Sequence, residues 1–225
     1  MEESVRLIGI TQPTEEIQRE TGIVSAQDLV AYVARVSNPS NQANNETAER
    51  LLKYLSKNKH WSPYEMVHLV MEINTTRDIA RQILRHRSFS FQEFSQRYAD
   101  PTKDLGFVTR EARLQDTKNR QNSIETNDTD LQYVWEQHQH ILTATALDTY
   151  KWAVENGIAK EQARAVLPEG LTVSRMYMTG SLRSWIHYCE LRCANGTQKE
   201  HREIALQCWD VICGQFPSLK TILEQ

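Results

Sequence analysis

A chain of 225 residues, 40% hydrophobic and 24% charged, has room for a sizeable core, because such a length buries about 70 to 75% of its unfolded surface on folding. A formal net charge of −3 excludes a cationic surface spread over the whole molecule, and no apolar run reaches the ~18 residues of a membrane span, so any positive site is local. The opening Met-Glu-Glu-Ser-Val-Arg lacks a secretory signal's basic and apolar regions; the expectation is a cytoplasmic protein forming a single domain over 1–225.

Val5, Leu7, Ile8 and Ile10 alternate weakly and predict a first strand over 4–10, after which 13–22 is polar and reads as turn. From Ala26, the residues Leu29, Val30, Val33 and Val36 recur at helical spacing until Asn38-Pro39-Ser40, where Pro39 disfavours helix at the residue before it. A polar loop at 41–47 precedes a second helix whose core face is Ala48, Leu51, Leu52 and Leu55. Beyond a turn around Pro63, Val67, Leu69, Met71 and Ile73 alternate as a strand over 66–74, and Asn74, Thr75 and Thr76 are cap candidates for the next helix.

That helix has Ile79, Ala80, Ile83 and Leu84 as its apolar stripe, with Gln82, Arg85 and His86 on a neighbouring face. Arg85, His86 and Arg87 follow in a row, and then Phe89 and Phe91 alternate with Ser88, Ser90 and Gln92, an extended segment with one buried and one polar face. Arg77, Arg81, Arg85, Arg87 and Arg97 meet only Asp78 and Glu93 in this window. Guanidinium forks suit phosphate and imide-like groups, so an anionic, ring-bearing ligand is expected; a solvated helix end favouring the macrodipole is the bland alternative. A rival of another class is a single-stranded RNA module, with Arg81, Arg85, Arg87 and Arg97 around a stacking platform of Phe89, Phe91 and Phe94, although the acidic remainder would repel a polyanion.

Phe107 to Thr109 suggests a strand, while 111–130, rich in Asn, Asp, Thr and Gln, reads as a mobile excursion. A long amphipathic helix runs from Leu131 through Val134, Trp135, His138, Ile141, Leu142, Thr145 and Ala153 to Asn156-Gly157. His138 and His140 are isolated on it and read as surface or satisfied histidines, and no metal site is expected. A short helix at 160–166 carries Arg164, a strand runs from Leu171 to Gly180, and a helix with Leu182, Trp185, Ile186 and Cys189 inside shows Arg183, His187 and Glu190 outside. Ser181 lies at its N-terminus, where free amides favour phosphate. Thr197 and Glu200 form a capping-box pattern for a last helix packed through Ile204, Cys208, Val211 and Ile212. Cys189, Cys193, Cys208 and Cys213 include no Cys-x-x-Cys pair and are read as free thiols.

Residues 85–97 resemble the signature Arg-His-Arg-x-x-Ser-x-Asn-x-x-Ser-x-Arg of the flavin-dependent thymidylate synthases at every fixed position but one, Gln92 standing where Asn is usual. Ala-Arg-Val-Ser (34–37), His-Trp-Ser-Pro-Tyr-Glu (60–65), Ala-Arg-Gln (80–82), Ala-Arg-Ala-Val-Leu-Pro (163–168), Ser-Leu-Arg-Ser (181–184) and Leu-Arg (191–192) are similar to family segments in family order, so the likeness covers roughly Ala31 to Ala205. It implies an α+β fold, a mixed or antiparallel sheet packed with several helices. It also implies methylation of dUMP to dTMP, with 5,10-methylenetetrahydrofolate giving the carbon and NADPH the hydride through FAD, in a homotetramer with shared sites.

By position, the resemblance makes Arg192 the catalytic cation that stabilises ionised uracil N3, without a cysteine nucleophile. Cys193, its neighbour, lacks the Pro-Cys-His context of the unrelated classical synthases. Positions matching the dUMP site are Gln82, Ile83, Leu84, Arg85, Glu93, Phe94, Ser95, Gln96, Arg97, Arg164 and Arg192. Positions matching the FAD site are Ser62, Arg85, His86, Arg87, Glu93, Ser181, Leu182, Arg183 and His187. His60 and Tyr64 are weaker candidates for stacking on flavin or folate. Ser181 and His187 depart from a common Asn, Gln96 from a common small residue, and Gly196 stands where some relatives have histidine.

Overall fold

The computed structural model of the chain describes residues 4–223. In order they form β1 (Ser4–Ile10), α1 (Glu15–Thr21), α2 (Ala26–Ala34), α3 (Ala48–Lys57), β2 (His68–Thr76), α4 (Arg77–Ile83) and β3 (Ser90–Glu93). There follow α5 (Pro101–Asp104), β4 (Arg113–Gln115), β5 (Ser123–Glu125), α6 (Thr129–Glu155), α7 (Lys160–Ala163), β6 (Val173–Ser181), α8 (Leu182–Arg192) and α9 (Lys199–Gln215). The main sheet has the order β1-β2-β6-β3 and is antiparallel throughout.

Strand alternation decides the two faces of that sheet. Leu69 and Met71 of β2 and Met176 and Met178 of β6 are fully buried, in one core with Trp185 and Ile186 of α8 and Ile204, Cys208 and Ile212 of α9. The opposite face is polar: Arg6 pairs with Glu72 at 3.1 Å, and the Tyr177 hydroxyl donates to the same carboxylate at 3.0 Å. Because β2 runs straight into α4 and β6 straight into α8, the ends of both central strands feed the helices that carry the arginines.

Several expectations are corrected. Residues 15–21 are helical rather than turn, because Thr14 caps the first turn through Ile17 N–H and Gly22, at φ 74°, ends it. Val36 lies beyond α2 and is exposed. β2 begins two residues later than alternation suggested and includes Asn74 to Thr76; Thr76 precedes α4 without a side-chain cap, its hydroxyl bonding instead with Asp78 and Arg110. Phe107 makes a single bridge to Thr172, not a strand. The 111–130 excursion contains the β4–β5 hairpin, tied down where Lys199 meets Glu111 and Glu125 at 2.7 Å each. No side-chain cap starts α9, since Glu200 turns to Arg110 and Arg113.

The largest correction concerns α6. Its buried positions are Gln139, Ala146, Tyr150 and Ala153, whereas Val134, Trp135, Ile141 and Leu142, expected in the core, face outward with Ile141 64% exposed. A helix apolar on two sides reveals its periodicity but not which side the domain covers. Among the described residues no helix is long and apolar enough to cross a membrane.

Candidate active site

The turn that ends α4 and the start of β3 present Arg85, His86 and Arg87. His86 is half-buried, its ring edge-on to Tyr188 at 4.9 Å between centroids. Arg192, in the last turn of α8, donates from Nε to His86 Nε2 at 2.9 Å. Burial, and then the Arg192 charge, pushes the His86 pKa down to about 4, so the imidazole is neutral at pH 7. The bare Nε2 accepts and the proton sits on Nδ1. Among the described residues the Nη groups of Arg192 make no hydrogen bond, and its half-buried charge makes no ion pair with a carboxylate. Arg85 and Arg87 are exposed, and among the described residues their side chains make neither ion pair nor hydrogen bond.

Glu93 is differently placed from its expected ligand role. Its carboxylate accepts from Ser174 at 2.8 Å and from Arg81 at 3.0 Å, with Arg77 at 3.8 Å, so it holds α4 against the sheet. Phe94 N–H bonds to Arg175 carbonyl, and Gln96 is buried with an unpartnered Nε2. Arg97 and Arg164 meet through one residue: Arg97 pairs with the Glu161 carboxylate at 3.2 Å, and Arg164 Nε donates to the Glu161 carbonyl at 3.3 Å. Ser95 Oγ accepts from Arg97 N–H at 3.4 Å. Ile83 is fully buried and offers no side-chain group, while Leu84 is half-buried.

A third group collects at the start of α8. Arg183 pairs with Glu65 at 2.7 Å, exposed His187 packs edge-on to Trp61 at 5.1 Å, and exposed Ser62 follows Trp61. Two candidates here are already engaged. The Ser181 hydroxyl caps α8 through Ser184 N–H and donates to Glu65; Leu182 is fully buried with its N–H on Val67 carbonyl. Tyr64 is likewise corrected: it is fully buried, its hydroxyl donating to Leu52 carbonyl at 2.7 Å, so it stacks on no ligand. Exposed His60 stands edge-on to Tyr54 at 6.2 Å.

No disulfide joins the cysteines among the described residues. Cys193 is half-buried and packs against the core; the neighbouring Cys189 thiol draws its pKa down, against the effect of burial. Two of the three rings of the RNA platform are engaged elsewhere: Phe89 packs edge-on to Trp185 at 4.8 Å and Phe91 packs against the core. A cavity of about 790 Å³ opens between α6 and α9, lined among others by Phe107, Arg110, His140, Lys199 and Glu203, none of them an expected site residue.

Sequence reasoning missed His201, Tyr188 and Gln198. His201 touches Gln82 and Tyr188, and Gln82 Nε2 donates to Gln198 at 2.8 Å. A histidine on the apolar stripe of α9, three residues before Ile204, was the available signal.

The family model described as thymidylate synthase complementing protein matches residues 22–218. A probable flavin-dependent thymidylate synthase of Paramecium bursaria Chlorella virus 1 is 48% identical over 221 residues, covering 98% of this chain and 99% of that protein. A flavin-dependent thymidylate synthase of Synechocystis sp. is 47% identical over 220 residues, with 98% and 99% covered. Among solved structures, a UMP/dUMP methylase PolB from Streptomyces cacaoi bound with 5-Br UMP superposes with a TM-score of 0.78 at 24% identity, covering 96% of this chain and 91% of that one, a likeness of fold.

Proposed function

The chain belongs to the thymidylate synthase complementing protein family, and from that premise we propose that it is a flavin-dependent thymidylate synthase, methylating dUMP to dTMP with FAD, 5,10-methylenetetrahydrofolate and NADPH. The observation that carries the reading is a set of guanidinium groups, Arg85, Arg87 and Arg192, that among the described residues pair with no carboxylate, in a chain whose net charge is −3. Charge left unpaired in the folded chain is charge available to an anionic ligand.

The donor set fits a flavin dinucleotide. Arg85 and Arg87 suit the dianionic pyrophosphate, with Ser62, Arg183 and His187 as further candidates; Ser181 and Leu182 support α8 rather than the ligand. When bound, the flavin supplies hydride transfer from the reduced nicotinamide. For dUMP, Ser95, Arg97 and Arg164 are assigned to the phosphate and Gln82 to a polar base edge.

Uracil C5 is a weak nucleophile until the ring becomes electron-rich. Arg192, anchored at Nε by neutral His86, aims two Nη groups at the charge that develops on N3 and the adjoining oxygens. A fixed cation in a half-buried place contributes on the order of 3 to 4 kcal/mol there. No sulfur needs to attack the ring, and Cys193 packs against the hydrophobic core. The assigned residues lie in three separate groups in one chain, and the outward apolar face of α6 asks for a cover; both support a homotetramer whose active sites are shared between subunits.

Purified protein tests the reading through its visible spectrum and through NADPH-dependent release of the C5 hydrogen from dUMP with methylenetetrahydrofolate. Flavin absorbance and release coupled to dTMP formation are expected. A colourless protein that refuses added FAD and leaves dUMP intact would sink it.

A further inference from the structure

A line of hydrogen bonds runs from α9 to Gln82 and has one direction only. Glu200 is its origin. Burial raises the pKa of this carboxyl, but a backbone N–H and the Arg110 and Arg113 charges outweigh that and hold it ionised, below the usual carboxylate range. An ionised carboxylate only accepts, so Gln198, whose Nε2 lies 2.9 Å from Glu200 Oε2, must turn its NH2 toward Glu200 and its Oε1 away. That Oε1 faces Gln82 Nε2 at 2.8 Å, which orients the second amide in turn. Gln82 Oε1 then faces His201 Nδ1 at 3.2 Å, so Nδ1 carries the proton; His201 Nε2 is bare and takes the Tyr188 hydroxyl at 3.2 Å. His201 and Tyr188 are both buried, so reversing one member would set two acceptors or two donors face to face away from water.

We propose that Glu200, Gln198 and His201 are positioning residues that lock the Gln82 amide in one orientation and thereby make the site select a uracil over a cytosine edge. The inference rests on the assignment of Gln82 to the nucleotide base. With one Gln82 N–H given to Gln198 and one carbonyl lone pair taken by His201, a single donor and a single acceptor remain in fixed order. Uracil presents the acceptor O4 where cytosine presents the donor N4–H, and N3 is left to Arg192. The two groups have opposite polarity, so a locked Gln82 that holds its remaining N–H at that position pairs with O4 alone, and a freely turning amide pairs with either. Nothing in the spacing of residues 82, 198, 200 and 201 exposes this line, because it is closed only by the packing of α4 against α9.

The test combines the ring-nitrogen NMR of His201 with binding of dUMP and dCMP to the flavin-loaded protein. The expected wild-type spectrum has His201 neutral and protonated on Nδ1, and dUMP preferred over dCMP. Glu200→Gln, which lets Gln198 turn, should mix the two His201 tautomers and lower the dUMP:dCMP ratio about tenfold, the worth of one hydrogen bond. Gln198→Leu removes the second link while keeping the Arg110–Glu200–Arg113 ions, so it gives the same loss of selectivity if Glu200→Gln fails to fold. A His201 protonated on Nε2 in a wild type that binds dUMP overturns the line of bonds, and an unchanged ratio in Gln198→Leu overturns its role in selection. Wild-type protein that binds neither nucleotide overturns the assignment of Gln82 itself, whatever the His201 tautomer.

Discussion

His86 and Arg192 show how a buried neutral base can hold a cation in place. Nε2 accepts only while unprotonated, and a proton there would set one positive charge against another. The unfolded imidazole titrates near 6.5 and the folded one near 4, so between those values the unfolded chain binds more protons. Stability from this group is therefore complete above pH 6.5 and is lost as pH falls toward 4. Melting temperature should drop between pH 7 and pH 5 more steeply for the parent than for His86→Phe; parallel profiles would show that His86 is not the group responsible. Tyr64 offers a contrasting case. Tyr64→Phe should cost about 1 to 2 kcal/mol in urea unfolding, because Leu52 carbonyl loses its buried donor, and should leave flavin binding unchanged. A loss of flavin with stability intact would return Tyr64 to the site.

Between the elements, a close approach lies where Gly180 of β6 meets Phe89 in the loop before β3. A Cβ added to Gly180 would stand 2.6 Å from Phe89 Cδ1, and the ring cannot retreat easily because Trp185 and Tyr188 flank it. Gly180→Ala should thus destabilise the fold by about 1 to 3 kcal/mol and move the segment carrying His86 to Ser88, so that flavin affinity falls with it. An alanine variant with parental stability would mean that Phe89 yields freely. Elements were legible wherever one face is apolar and the other polar: α8, with Leu182, Trp185, Ile186 and Cys189 buried and Arg183 and His187 exposed, follows its pattern directly. They were illegible where tertiary partners decide. The short α1 has no buried residue and rests on its caps, and the β4–β5 hairpin is held by Lys199 from a distant helix.

Across the molecule, α6 leaves Trp135, Ile141 and Leu142 open, and the residues assigned to ligands are held by three different sets of partners. One assembly would explain both. Ile141→Glu should lower the oligomer mass measured by light scattering and reduce methylation in proportion, since a charge cannot be buried there without a partner. A full-sized oligomer with Ile141→Glu would place the subunit contact elsewhere. The candidate site was proposed from a run of residue types from Gln82 to Arg97 with Arg192, because guanidinium groups in excess over carboxylates suit an anion. Which of them the fold already employs was not legible: Glu93 is taken by Arg81 and Ser174, Ser181 by Glu65, and only the packing of distant helices reveals it.

The role of fixed charge in place of a sulfur nucleophile is tested most directly by dTMP formation in Arg192→Ala and Cys193→Ala at matched flavin content. Arg192→Ala should fall by about 10² to 10³, while Cys193→Ala stays within about threefold of the parent. Parental rates from Arg192→Ala together with an inactive but folded Cys193→Ala would assign the ring activation to the thiolate instead.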